Sequence, residues 1–248
     1  MTRIEENMIK LLAFDLDGTL TQHKTPISED YRELLNSLSK KYKLLIVGAG
    51  RCKRIRNQIG NLPIDIIGNY GMEYCKYDSE SGRDVMIRSD ILPTEKEELL
   101  IRAQRLRERF GFFEYYGEPL EFHSSGCVTL PLLGTAAMLE DKLRFDPTRE
   151  KRRKIYKDVV DAFPEYNVFI GGSSSFDMAP KPFDKLYALG DYLSEHGICE
   201  SECAYFGDDY GVGGNDEPVL HSDVKFIKID SYLSTGKFLE DYLSNEAI

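Results

Sequence analysis

Short apolar runs recur along the first third of the chain, and each is closed by turn-forming residues. Ile9–Phe14 (IKLLAF) runs into Asp-Leu-Asp-Gly, Lys43–Val47 (KLLIV) into Gly48-Ala49-Gly50, and Ile64–Ile67 into Gly68-Asn69. Runs of this length with such boundaries predict strands buried on both faces. Amphipathic segments lie between them. Ser28 is placed to cap a helix running to about Leu38, with Glu29 and Asp30 suited to its N-terminal dipole, and Cys52–Ile59 predicts a second, basic helix. Strand and helix in strict alternation predict a parallel sheet with crossover helices and a ligand crevice at the strand C-termini.

From about Val85 to Phe183 the pattern changes. It predicts a charged helix at Thr94–Arg109 and β-like stretches at Phe112–Tyr116, Leu120–Phe122 and Cys127–Leu130. A basic helix at Thr148–Phe163 and a strand at Asn167–Ile170 follow. The alternation then resumes with a helix at Lys185–Glu195, a strand at Ala204–Phe206 ending in Gly207-Asp208-Asp209, and a last strand at Lys225–Ile229. The expected fold class is therefore α/β: a discontinuous core of residues 1–86 and 184–248, with an inserted α+β domain at 87–183. No internal repeat or low-complexity tract interrupts this reading.

Composition narrows the function classes. The 248 residues carry 32 Lys+Arg against 42 Asp+Glu, a formal net charge of −10, with 42% apolar residues. That balance fits a globular protein and argues against nucleic acid or an anionic membrane as partner, since both need a basic footprint. It leaves room for a small phosphorylated substrate, because a few placed cations override a distant acidic surface. No apolar run reaches the ~18–20 residues of a spanning helix, and Met1–Lys10 is charged without a signal-peptide core. The five cysteines are odd in number and lack a CxxC pair or a completed zinc spacing. A reduced, cytoplasmic protein is the expectation.

The chemistry gathers at the strand ends. Asp15 and Asp17 follow the first strand one residue apart, and i and i+2 on an extended segment point the same way. Two carboxylates so close repel unless a cation joins them, which makes the pair a candidate Mg²⁺ site. The same pair suits phosphoryl transfer, one carboxylate attacking phosphorus and the other handling the leaving-group proton. A bare DxD is also common in surface turns; its place directly after a buried strand raises its value.

FDLDGTLT (Phe14–Thr21) resembles the first motif of the haloacid dehalogenase (HAD) superfamily. The turn Gly48–Arg51, Lys185 near a helix start, and FGDD (Phe206–Asp209) come in that superfamily's order. The resemblance implies a Rossmann-like core with a C2-type cap, a nucleophile at Asp15, an acid/base at Asp17, and Lys185 steadying the nucleophile. It further implies Mg²⁺ held by Asp15, Asp17, Asp208 and Asp216. GGSSSFDMAPKPFDKLYAL (Gly171–Leu189), YFGDDYGVGGND (Tyr205–Asp216), IVGAGRCKRIRNQIGN (Ile46–Asn61) and IIGNYGMEY (Ile66–Tyr74) resemble eukaryotic-type phosphomannomutases, alongside Cof-like C2-capped sugar-phosphate phosphatases. In that family a serine-x-aspartate segment, here Ser175 and Asp177, reads sugar hydroxyls; taken alone, SSSFD is a loop rich in turn formers.

Departures from the pattern shape the functional expectation. The turn after the second strand normally supplies a Ser or Thr hydroxyl to phosphate, whereas Gly48, Ala49 and Gly50 offer only backbone N–H groups. Cap arginines are replaced by His123 or Ser124, Thr135 and Lys142, and the arginine after the first motif by Lys24. Lysine binds phosphate without the planar fork of arginine. The run Arg149–Lys154 (REKRRK) reads as the solvated face of a helix. The leading expectation is a Mg²⁺-dependent phosphohydrolase of a small phosphorylated metabolite, a sugar phosphate, with phosphomannomutase-like transfer as the alternative and a non-catalytic sugar-phosphate sensor third. The partners expected are that small molecule and a second copy of the chain through the cap.

Overall fold

The computed structural model describes residues 8–244, so most of the charged Met1–Lys10 segment lies outside the described residues. The chain divides into two units: Met1–Ser89, Lys185–Tyr210 and Asp216–Ile248 form the first, Asp90–Asp184 with Gly211–Asn215 the second. Gly211–Asn215, read from the sequence as core, groups with the second unit. There Ile170 N donates to Gly213 O (2.7 Å) and Gly213 lies against Ile170 and Tyr156 with no room for a Cβ.

In chain order the strands are β1 (Leu11–Phe14), β2 (Lys43–Val47), β3 (Asp65–Gly68), β4 (Glu73–Asp78), β5 (Arg83–Ser89), β6 (Glu121–Phe122), β7 (Val128–Pro131), β8 (Tyr166–Phe169), β9 (Ser175–Pro180), β10 (Cys203–Gly207) and β11 (Lys225–Lys228). The helices are α1 (Glu29–Leu38), α2 (Cys52–Ile59), α3 (Lys96–Phe110), α4 (Leu139–Phe145), α5 (Glu150–Ala162), α6 (Lys185–His196), α7 (Glu217–Leu220) and α8 (Thr235–Ser244).

The first unit is a seven-stranded sheet in the order β11-β10-β1-β2-β3-β4-β5. β1, β2, β3, β10 and β11 run parallel, and β4 and β5 add an antiparallel hairpin. Alternation along the strands builds a core on each face. Leu12, Phe14, Leu44, Ile46 and Phe206 pack with Leu35 and Leu38 of α1, Ile55 and Ile59 of α2 and Leu239 of α8. Leu11, Ala13, Leu45, Val47 and Tyr205 pack instead with Ala188, Leu189 and Tyr192 of α6 and Val219 of α7. Continuous apolar runs in the sequence are thus strands clad on both sides. Ser28 caps α1 by accepting from Tyr31 N, as its position predicts.

The second unit is an antiparallel sheet, β6-β7-β9-β8, with α3 and α5 on one face. Val128, Leu130, Phe176, Met178 and Val168 face Leu99, Ala103, Ile155 and Val159 across its core. Phe112–Tyr116, expected as a β-like stretch, is irregular. Its tie is to a buried arginine: Tyr115 lies 4.2 Å from the Arg107 guanidinium, which donates to Leu132 O, Pro131 O and Pro119 O. No helix among the described residues is long and apolar enough to cross a membrane.

Candidate active site

β1 ends at Phe14, and Asp15 makes one more parallel rung, its N–H donating to Phe206 O (2.9 Å). The chain then turns sharply, with Leu20 N and Thr21 N both donating to Leu16 O. Asp15 Oδ1 lies 2.8 Å from the Lys185 ammonium, which also lies 2.7 Å from Asp216 Oδ1. Lys185 opens α6 and is fully buried, and Asp15 is 6% exposed. Burial works against the ammonium, but Asp15 and Asp216 outweigh it and hold Lys185 well above the usual lysine range.

Asp15, Asp208 and Asp216 each offer an oxygen within 4.8 Å of the others. Burial, with Asp216 and Asp208 alongside, pushes the Asp15 carboxyl up against the pull of Lys185. Asp208 is raised in the same way, by burial first and then by Asp216. Asp208 Oδ1 accepts from Thr19 Oγ1 (2.9 Å), a fully buried hydroxyl. Asp216 is tied by Tyr205 OH on Oδ1 (2.7 Å) and Asp209 N on Oδ2 (2.9 Å). Gly207 leaves the space for Asp216, since a Cβ there would meet its carboxylate at 2.7 Å.

Asp17 is not part of this cluster. The expectation of one shared pocket rested on extended geometry, and the turn from Leu16 to Thr21 removes it. Asp17 instead accepts from Lys24 N (2.7 Å) and Gln58 Nε2 (3.0 Å) on Oδ1, and from Arg54 Nη1 on Oδ2 (2.8 Å). Burial would raise this carboxyl, but the Lys24 N–H, Arg54 and Gln58 together hold it below its usual range. As an expected metal ligand, the Asp17 carboxylate is therefore corrected: its oxygens face α2 donors. Lys24 acts there through its backbone, in a left-handed conformation (φ 58°), with its side chain exposed.

The turn after β2 is only partly available to a ligand. Gly48 N donates to Ile67 O, and the first N–H of α2, Cys52 N, is taken by buried Glu73 Oε2 (2.8 Å). Ala49 N and Gly50 N have no acceptor among the described residues. Arg54 and Gln58, one turn apart on α2 and bonded to each other (2.6 Å), are the contributors the sequence reading missed. Their signal was there: an i, i+4 polar pair on the predicted helix Cys52–Ile59.

Ser175, Asp177 and Lys142 lie in the second unit. On the sheet face opposite its core, Asp177 Oδ1 accepts from Thr129 Oγ1 (3.1 Å), which in turn meets His123 Nε2 (3.1 Å). The Thr129 hydroxyl has one proton and gives it to Asp177, so His123 Nε2 carries the hydrogen. Ser175 Oγ donates to Gly171 O and Lys142 Nζ to Thr135 O. Arg152 corrects the reading of Arg149–Lys154 as a solvated face: it is 1% exposed, pairs with Asp146 and donates to Gly171 O, Gly172 O and Ser175 O.

A phosphomannomutase of Saccharomyces cerevisiae is 30% identical over 218 residues, covering 85% of this chain and 84% of that protein. One from Triticum aestivum is 27% identical over 228 residues, 86% of each. Among solved structures, the IMP-nucleotidase of Plasmodium falciparum superposes with a TM-score of 0.70 at 16% identity, covering 94% of this chain and 68% of that one. A phosphatase of the HAD superfamily from Bacteroides thetaiotaomicron gives 0.62 at 17% identity over 98% and 97%; both likenesses show a shared fold. The sequence pattern of "Eukaryotic phosphomannomutase" matches residues 31–232, and with that span and the yeast relative this chain belongs to the eukaryotic phosphomannomutase family, a family of enzymes.

Proposed function

We propose that this enzyme moves the phosphoryl group of a hexose phosphate through an aspartyl-phosphate at Asp15. The observation that carries the reading is Asp15 itself: Lys185 holds Oδ1, while Oδ2 has no hydrogen-bond partner among the described residues. In the first half-reaction Oδ2 attacks phosphorus in line, the bond from phosphorus to the sugar oxygen breaks, and that oxygen takes a proton from Asp17, which has to be loaded with it against the pull of the Lys24 N–H, Arg54 and Gln58. In the second, an acceptor hydroxyl gives its proton to Asp17 and attacks phosphorus, and the bond to Asp15 breaks to restore the carboxylate. Lys185 is the fixed positive charge beside the nucleophile throughout.

The donor set fits Mg²⁺. Three carboxylates face one ammonium, leaving two excess negative charges in a buried cluster of hard oxygen ligands. Asp15, Asp208 and, through the free lone pair of Oδ2, Asp216 would hold it. When bound it offsets the charge of nucleophile and phosphate. The second unit is the sugar-reading part on this view, with Ser175 and Asp177 meeting hydroxyls.

The names of the relatives favour return of the phosphoryl group to the sugar, so isomerisation leads and hydrolysis is second, the reverse of the order from sequence alone. A specific observation keeps hydrolysis in play: at the expected cap clamp, Lys142 is bonded to Thr135 O and His123 to Thr129, with no arginine at those positions. Exposed Met138, Leu139 and Leu143 on the second unit support association of two copies through it. The five cysteines are free thiols, which suits a reduced, cytoplasmic setting.

Hexose 1-phosphate with Mg²⁺ and a trace of hexose bisphosphate, followed by phosphorus NMR, separates the outcomes: 6-phosphate marks the mutase, inorganic phosphate the hydrolase. Asp15→Asn is expected to abolish both while leaving the circular dichroism spectrum unchanged. Mg²⁺-dependent turnover persisting in that variant would remove Asp15 as nucleophile.

A further inference from the structure

We infer that Arg54 is the side chain that grips the phosphoryl group where the family pattern supplies a motif-two hydroxyl; the inference rests on the phosphoryl-transfer reading above. Gly50 is the last residue of Gly48-Ala49-Gly50, the hydroxyl-free stretch of the turn after β2. A Cβ built there would lie 2.0 Å from Arg54 Nη2 and 2.2 Å from Nε. The guanidinium, reaching over from the first turn of α2, fills the volume that a serine or threonine side chain would occupy. The missing side chain and the arginine are thus two halves of one substitution.

The donors of Arg54 are divided in a way that leaves a phosphate-binding edge open. Nη1 is committed to Asp17 Oδ2 (2.8 Å) and Gln58 Oε1 (2.6 Å). The Nε–Nη2 edge, whose two parallel N–H groups match two oxygens of one phosphate, has no acceptor among the described residues. The Arg54 side chain as a whole is 34% exposed. The usual alternative, the N-terminus of α2, is occupied by an anion of the protein itself: Glu73 accepts Cys52 N (2.8 Å) and Arg51 Nε (2.7 Å). A second negative group placed there would meet the Glu73 carboxylate. A cation that bypasses the helix end answers that problem, and Asp17 fixes its aim from two residues beyond the nucleophile.

The test is calorimetric titration of the full-length protein with inorganic phosphate in the presence of Mg²⁺, alongside KM and kcat on hexose 1-phosphate. Arg54→Ala is expected to weaken phosphate binding by about 10- to 100-fold, the worth of a charge-assisted bidentate contact, with Arg54→Lys intermediate. Gly50→Ser in the Arg54→Ala background should recover part of that loss, because the hydroxyl then has both the space and the role. The loss should also persist in an Asp17→Asn background, which a role confined to holding Asp17 would not produce. Unchanged phosphate affinity in Arg54→Ala, a loss that vanishes with Asp17→Asn, or no recovery with Gly50→Ser would each overturn the inference. Failure of the underlying reading looks different: the wild-type protein would then neither bind phosphate nor turn over any hexose phosphate.

Discussion

Gly18 has no side chain because the Asp208 carboxylate stands where one would go. A Cβ at Gly18 would lie 2.3 Å from Asp208 Oδ2, and its φ of +103° is open only to glycine. Gly18→Ala is therefore expected to push Asp208 out of the cluster and to cost about 1–3 kcal/mol of stability through backbone strain. Thermal denaturation with and without Mg²⁺ checks both parts: the variant should melt lower and lose most of its response to the ion. A full Mg²⁺ response would show that Asp208 is not a ligand. The same turn explains what a single chain did and did not reveal at this scale. Asp15, Lys185 and Asp208 could be located because each sits at the end of a strand or the start of a helix that the apolar pattern predicts, whereas Asp216, before the short helix α7 that no pattern predicts, was named only through the resemblance. The side chain of Asp17 was misplaced because the i, i+2 rule holds only while the backbone stays extended, and the turn closed by Leu20 N on Leu16 O ends that at once. Arg54 was passed over because its meaning comes from Gly50, a residue noted for what it lacks.

Helix α5 carries the lesson at the scale of elements. The run Arg149–Lys154 looks like a uniform basic face, yet Arg152, Ile155 and Val159 stand at i, i+3 and i+7, and all are buried. The apolar stripe of the helix thus begins with an arginine, a periodicity that charge counting conceals. The arginine is tolerated because Asp146 closes the helix start, accepting Lys151 N, Arg152 N and Arg152 Nε, each at 3.0 Å. Burial would raise the Asp146 carboxyl, but these donors hold it below the usual carboxylate range. Its folded value therefore lies below its unfolded one, so its contribution is complete above about pH 4 and lost as pH falls through the folded value. Asp146→Asn should cost about 3–5 kcal/mol at neutral pH by leaving Arg152 unpaired, and the gap from wild type should narrow below pH 4. Urea denaturation at pH 7 and pH 3 measures it; a gap of constant size would mean that shape rather than charge matters there. Elsewhere, strands clad on both faces were readable from sequence, whereas the β4–β5 hairpin was not. In β5, Val85, Met86 and Ile87 are all about half exposed, so no alternation marks the strand.

The whole molecule contains cores that do not share residues: two on the faces of the seven-stranded sheet and one beneath the four-stranded sheet. Every carboxylate of the candidate metal cluster belongs to the first unit, and none to the second. A ligand that binds only the folded form of one unit stabilises that unit by mass action, about 2.7 kcal/mol at one hundred times its dissociation constant. For a unit of this size each kcal/mol moves the midpoint by about 2–4 °C, so saturating Mg²⁺ should raise one thermal transition by about 5–10 °C. The transition of the second unit should stay where it is, and chelation should return the first to its starting point. Asp208→Asn should abolish the shift without moving the second transition, because it removes one of the clustered carboxylate charges that the cation offsets. Differential scanning calorimetry distinguishes the possible results. A single peak that moves as a whole would mean that the two units unfold cooperatively in spite of their separate cores. No movement at all would mean that Asp15, Asp208 and Asp216 share their cluster with Lys185 alone, and the formal charge of −10 would then have no local cation to answer it.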